Sequence, residues 1–175
     1  MNIRKTVTVG ILAAIICVFA PFSVPAGAIP ISLSTFAIYI VSCSVSKNYS
    51  LPAVALYILI GTLGIPVFSS FSGGIHCITG YTGGYIIGYI PCAFIIGLLT
   101  DNFENNKIIY PVSMTAGTII CYFFGTLWYM HLAKCSFSQA VTVCILPFII
   151  GDIIKIISAS VIGFTLKRRL KKFVV

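Results

Sequence analysis

Asp152 and Lys155 lie three residues apart inside GDIIKIISASVIGF, a stretch too long and too apolar for a soluble helix. At i and i+3 both side chains leave one face of a helix and can act together on one object. Placing a charge at the centre of a membrane helix costs about 2.5–3.5 kcal/mol on insertion scales, so an intramembrane pair marks a functional site by default. Three roles fit an acid beside a lysine at that depth. The pair can hold a polar ligand, it can carry and release protons, or the two charges can only neutralise each other.

Other chemistries find little support. Serine-based hydrolysis needs a partnered base, and apart from His131, at the edge of an apolar stretch, no histidine falls within a span. An aspartyl mechanism needs a second intramembrane carboxylate, whereas Asp101 and Glu104 read as parts of an inner loop. The seven cysteines (Cys17, Cys43, Cys77, Cys92, Cys121, Cys135 and Cys144) are scattered, odd in number and form no CxxC pair. They read as small membrane hydrophobes rather than a disulfide framework. His76 and His131 share no ligand spacing with them, so neither a metal nor a cofactor is expected. No GxxxxGK[ST] string is present to cradle a phosphate.

The elements that must hold Asp152 and Lys155 follow from composition. Of 175 residues 59% are hydrophobic and 8% charged, against about 25% charged in an ordinary soluble domain. With a mean hydropathy of +1.10, this reads as a multi-span membrane protein. Six apolar segments fall at about 6–22, 31–46, 51–67, 83–100, 109–132 and 141–166. The second and third are short against the ~20 residues that cross a bilayer, and tilt or flanking residues would extend them. Between them lie turn-like breaks, none long enough for a second domain, so 1–175 reads as one transmembrane domain.

The formal net charge of +8 could suggest nucleic acid, but the charges punctuate the apolar segments instead of forming a patch. With six spans and an inner N-terminus, Arg4, Lys5, Lys47, Lys107, Lys167, Arg168, Arg169, Lys171 and Lys172 fall inside, and only Lys134 outside. Nine against one is a strong positive-inside bias, and it places both termini in the cytoplasm. The KRRLKK tail then reads as the cytoplasmic stop of the last helix. The N-terminal segment also resembles a cleavable signal peptide. Retention is the preferred reading, because Gly10, Ala13, Ala14 and Cys17 form a small-xxx-small pattern suited to helix packing.

The connection GIPVFSSFSGGIHCITGYTGGYIIGY holds paired glycines at Gly73–Gly74 and Gly83–Gly84, with Tyr81, Tyr85 and Tyr89 nearby. Paired glycines permit a sharp bend or a close approach to a ligand, and tyrosine offers an apolar face with a polar tip. On the topology above this loop lies outside and can cover a pocket floored by Asp152 and Lys155. A flexible turn with interfacial tyrosines fits the spacing equally well.

Three segments carry a family resemblance: IPISLSTFAIYI, GTLGIPVFSSFSGG with GYTGGYIIGYIPCAFIIGLL, and LPFIIGDIIKIISASVIG. The chain resembles the BioY family, the biotin-binding S components of energy-coupling-factor (ECF) vitamin importers, over most of its length. The resemblance implies an all-α integral membrane protein, a six-helix S-component-like bundle in the bacterial cytoplasmic membrane. It puts Asp152 and Lys155 in a vitamin pocket, with Thr35, Gly83, Gly84 and Tyr85 as neighbours and Gly73, Gly74, His76, Tyr81 and Thr82 in a covering loop. The chain departs from the family pattern at Ser34, where many members have glutamine, and at Tyr81, where proline is common.

Such a ligand suits the chemistry. Biotin presents a ureido ring with two N–H donors and one carbonyl, an apolar thioether ring and a carboxylate tail. Asp152 can accept the ureido N–H bonds, and Lys155 can donate to the ureido oxygen or to the carboxylate. The resemblance further implies no enzymatic activity in this chain. Partners are expected: a membrane coupling (T) subunit and two cytoplasmic ATPases, with Gly10, Ala13, Ala14 and Cys17 on the docking face. Two other functions stay open, an S component for another small vitamin and a proton-coupled exporter using Asp152.

Overall fold

The computed structural model of the protein describes residues 3–25 and 27–174, with side chains placed through Leu170. Lys171 and Lys172, two of the charges that the sequence assigns to the inner side, therefore have no described side chains. Helices α1 (Ile3–Phe19), α2 (Ser34–Ser44), α3 (Lys47–Thr62), α4 (Ile75–Thr79), α5 (Gly83–Asn102), α6 (Ile109–Ala133), α7 (Phe137–Cys144) and α8 (Ile149–Val174) hold most of these residues. The remainder includes a two-residue antiparallel pair, β1 (Ser23–Val24) with β2 (Ile31–Ser32), and a 3-10 turn at Ser69–Phe71.

Among the described residues three helices are long and apolar enough to cross a membrane: α5, α6 and α8. Their outer faces are apolar too. On α8, Ile150, Ile154, Ile157 and Val161 are each at least 60% exposed. A helix that is hydrophobic all round belongs in a large core or in lipid, and these faces have no protein over them.

The sequence-derived segments need correction at three places. The last one, 141–166, is not continuous: α7 ends at Cys144 and α8 begins at Ile149. Pro147 has no N–H to give a helix, and it drives the residue before it out of helical geometry. The second segment opens as the extended Ile31–Ser32, so α2 spans only eleven residues. The third starts earlier, at Lys47, and stops at Thr62, where Gly64 takes φ +101° and Pro66 follows. The connection after it is also not wholly loop, because α4 forms within it.

Small residues set the closest helix contact. A Cβ on Gly88 would sit 3.2 Å from the Cα of Cys121, and one on Gly84 would meet the Phe124 carbonyl and the Cα of Gly125. The backbones of α5 and α6 can approach this closely only because those side chains are missing. Elsewhere α8 packs on α2 and α6, and α1 packs on α3 and α2. Tyr39, Tyr57, Tyr110, Ile16, Ile38, Ile96 and Met114 are among the fully buried core side chains.

The two ends of the bundle differ in chemistry. At one end a second, part-buried ion pair forms: Lys167 Nζ lies 2.7 Å from Asp101 Oδ1. The other carboxylate oxygen of Asp101 accepts from Ser46 Oγ and from the backbone N–H of Lys47, both at 3.0 Å. A negative charge thus meets the exposed N–H end of α3, where the helix dipole favours it. Asp101 belongs to the last turn of α5, not to a loop as the sequence suggests. Lys5, Lys107 and Arg168 lie over aromatic rings at this same basic end. A cavity occupies the other end.

Candidate functional site

The cavity opens to the surface, and its empty space, the open mouth included, is about 560 Å³. Its walls come from the α1–α2 connection (Ile29, Pro30, Ser32), the start of α2 (Ser34, Thr35), α3 (Tyr57), the α3–α4 connection (Phe68, Ser69), Thr82, α5 (Tyr85, Ile86, Tyr89), α6 (Thr118, Cys121, Tyr122), Phe148 and α8 (Asp152, Lys155). Asp152 and Lys155 are the charged side chains in that lining.

Both are buried, at 4% and 8% exposure. Lys155 Nζ donates to Asp152 Oδ1 at 2.9 Å, across one helical turn. Lys155 also donates to Thr35 Oγ1 at 3.1 Å, and Tyr122 OH donates to Asp152 Oδ2 at 2.7 Å. Both carboxylate oxygens are therefore held by the protein, and the lysine is aimed at the first turn of α2. The break at Pro147 contributes directly, since the backbone N–H of Asp152 closes the first turn of α8 on the Phe148 carbonyl at 2.8 Å. Asp152 consequently sits in the first turn of α8, where an acid is favoured by the helix dipole.

Thr35, Thr82, Tyr85, Asp152 and Lys155 come together in the lining. Tyr85 is held there by its hydroxyl on the Cys144 carbonyl (2.5 Å) and by stacking on Phe148 at 6.0 Å between ring centres. Gly83 and Gly84 lie outside the lining; they pack against the Ile78 carbonyl and against α6 around Trp128. Gly73, Gly74, His76 and Tyr81 are also outside it. Gly74 takes φ +103°, His76 is exposed, and Tyr81 rests on Tyr129 at 5.3 Å. Phe68 and Ser69 are the residues of the α3–α4 connection that reach the cavity. On α1, Ala14 is exposed and Gly10 and Cys17 are half-buried, while Ala13 faces the core at 1% exposure.

Sequence reading misses Tyr122 and Tyr57. The usable signal for Tyr122 is a polar and small stripe on α6, with Thr118, Cys121, Tyr122 and Gly125 at three- and four-residue spacings. Among the described residues no cluster of His, Cys, Asp and Glu could hold a metal ion.

The BioY family pattern matches residues 1–172. The chain is 37% identical over 168 residues to "Biotin transporter BioY" of Thermotoga maritima, covering 94% of this chain and 96% of that one. It is 33% identical to "Probable biotin transporter BioY" of Pyrococcus horikoshii over 163 residues, 93% of this chain and 96% of that protein. To "Biotin transporter BioY2" of Lactococcus lactis it is 30% identical over 158 residues, 90% and 87% of the two chains. The fold superimposes on a crystal structure of the S-component for biotin from an ECF-type ABC transporter with a TM-score of 0.87. That match covers 96% and 94% of the two chains at 24% identity.

Proposed function

This chain belongs to the BioY family, and from that premise we propose that it is the biotin-binding membrane subunit of an ECF-type biotin importer. The observation that carries this reading is the buried Asp152–Lys155 pair in the wall of a cavity otherwise lined by aromatic rings, hydroxyls and aliphatic groups. A small neutral bicycle with paired N–H donors and a carbonyl fits such a lining. The carboxylate accepts the N–H groups, the ammonium donates to an oxygen, and the rings bury the apolar body.

The remaining assignments form one picture. The single domain 1–175 crosses the bacterial cytoplasmic membrane six times, through α1, α2, α3, α5, α6 and α8, with both termini inside. The cavity then opens outward and the basic end faces the cytoplasm, in keeping with the positive-inside rule. At eleven residues, about 16 Å, α2 crosses with the help of the extended segment before it. Asp152, Lys155, Thr35 and Tyr85 contact the vitamin, and the α3–α4 connection closes over it through Phe68 and Ser69. The exposed Ala14 face of α1 docks on a membrane coupling subunit, and two partner ATPases supply the energy. No enzymatic step and no cofactor belongs to this chain.

Calorimetry with biotin on the purified protein in detergent, beside Asp152→Asn and Lys155→Met, tests this reading. Tight, one-to-one binding that both variants lose is the expected result. A folded wild type that does not bind biotin overturns the assignment, and competition by other vitamins then identifies the ligand.

A further inference from the structure

Five side-chain hydroxyls among the described residues are buried without a hydrogen-bond partner: Ser42, Ser44, Ser50, Tyr57 and Thr126. Tyr57 alone of these lines the cavity. Its side chain is fully buried, and its ring packs edge-on against Phe68 at 5.6 Å between centres, so the wall fixes its position. Ser34 is close enough to act on it electrostatically, but its oxygen does not come within the 3.5 Å and geometry of a formed hydrogen bond. Ser34 instead donates to the Ala20 carbonyl at 3.3 Å and accepts from Ser32 at 2.9 Å.

A buried hydroxyl without a partner carries its full desolvation penalty. Two other tyrosines of the wall illustrate the alternative, since Tyr85 and Tyr122 both direct their hydroxyls to a protein acceptor. We infer that the Tyr57 hydroxyl is a ligand-contacting, specificity-determining group whose hydrogen-bond partner is an oxygen, nitrogen or sulfur atom of the bound vitamin. This rests on the biotin-binding reading above. Tyr57 comes from α3, whereas Asp152 and Lys155 come from α8. The ligand is then gripped by polar groups on separate elements, and an analogue lacking the matching atom leaves Tyr57 unpaired. That is the condition under which a site discriminates most strongly between similar molecules.

The inference predicts effects of opposite sign for Tyr57→Phe. Removing an unpaired hydroxyl should raise the melting temperature of the ligand-free protein, by about 2–4 °C. The same change should weaken biotin binding by about tenfold, because the occupied site loses a hydrogen bond. Tyr110→Phe serves as the control. Its hydroxyl donates to the Glu104 carbonyl at 3.1 Å, outside the cavity lining, so that variant should lose stability and keep its affinity. Thermal unfolding and calorimetry on wild type and both variants decide the matter. If wild type binds biotin and Tyr57→Phe binds it equally well, the inference falls while the biotin reading stands. A Tyr57→Phe variant that melts below wild type without ligand also overturns it, because the hydroxyl is then satisfied inside the protein. If wild type binds no biotin, both fall together.

Discussion

Asp152 and Lys155 can be separated into their roles in stability and in binding by removing the charges singly and together. Their side chains are 6% and 10% exposed and meet at 2.9 Å. Removing one member of a buried pair costs about 3–5 kcal/mol, because its partner's charge remains buried. Here each stranded group keeps a neutral partner: Lys155 retains Thr35 at 3.1 Å, and Asp152 retains Tyr122 at 2.7 Å. The lower end, about 3 kcal/mol, is therefore expected for Asp152→Asn or Lys155→Met. For a chain of this size that is a fall of about 6–12 °C in melting temperature. The double variant has no buried charge to strand and should return to within about 1 kcal/mol of wild type. Binding should not return with it. Loss of charge-assisted hydrogen bonds, at about 1.5–3 kcal/mol each, lowers affinity by at least about tenfold in all three variants. Thermal unfolding and biotin calorimetry on the same preparations give both quantities. A double variant that melts no higher than the less stable single refutes the pairing reasoning. One that still binds tightly refutes the assignment of the pair to the ligand.

Three further outcomes are expected. Asp101→Asn and Lys167→Met should each lower stability by about 2–3 kcal/mol, discounted for the 20% exposure of Asp101, yet leave biotin affinity within about twofold; a matching loss of affinity would show that the basic end controls the cavity. Tyr122→Phe should weaken binding about tenfold by freeing Asp152 Oδ2 from a 2.7 Å bond, and an unchanged calorimetric affinity would remove Tyr122 from the site. Ala14→Leu should keep biotin affinity and reduce recovery of the coupling subunit and ATPases in a pull-down, because Ala14 is exposed on α1; equal recovery would move the docking face elsewhere.

Asp152 and Lys155 are legible in the sequence because charge is expensive in lipid and the i, i+3 spacing leaves one arrangement for the two side chains. Thr35 is legible only through family resemblance, since a threonine in an apolar helix has no distinctive cost. The predominantly helical class follows from composition. Helix ends are harder: an apolar run across Pro147 looks continuous, although the missing N–H divides it into α7 and α8. The Asp101–Lys167 pair escapes notice because charges at segment ends are ordinary, and nothing local joins residues 66 positions apart. Paired glycines read in sequence as a bend or a ligand approach, and packing adds a third use, a helix contact. The spatial neighbour settles which applies, and for Gly84 that neighbour is α6. Tyr57 and Tyr122 raise the same difficulty, because a tyrosine facing lipid and one facing a cavity are written alike.

The two lysines of α8 also impose an order on how the molecule is made. Lys155 reaches Thr35 across 120 residues of chain, and Lys167 reaches Asp101 across 66. At about 5–20 residues per second of synthesis, Thr35 waits about 6–24 s for its partner to be translated. During that interval the cavity lacks one wall, and Asp101 has the Ser46 hydroxyl and the α3 amide but no counter-charge. Arrival of the last helix supplies both at once. A chain cut short before α8 lacks the Asp152–Lys155 wall of the cavity and leaves Asp101 without its counter-charge, so an incomplete chain differs chemically from a finished one.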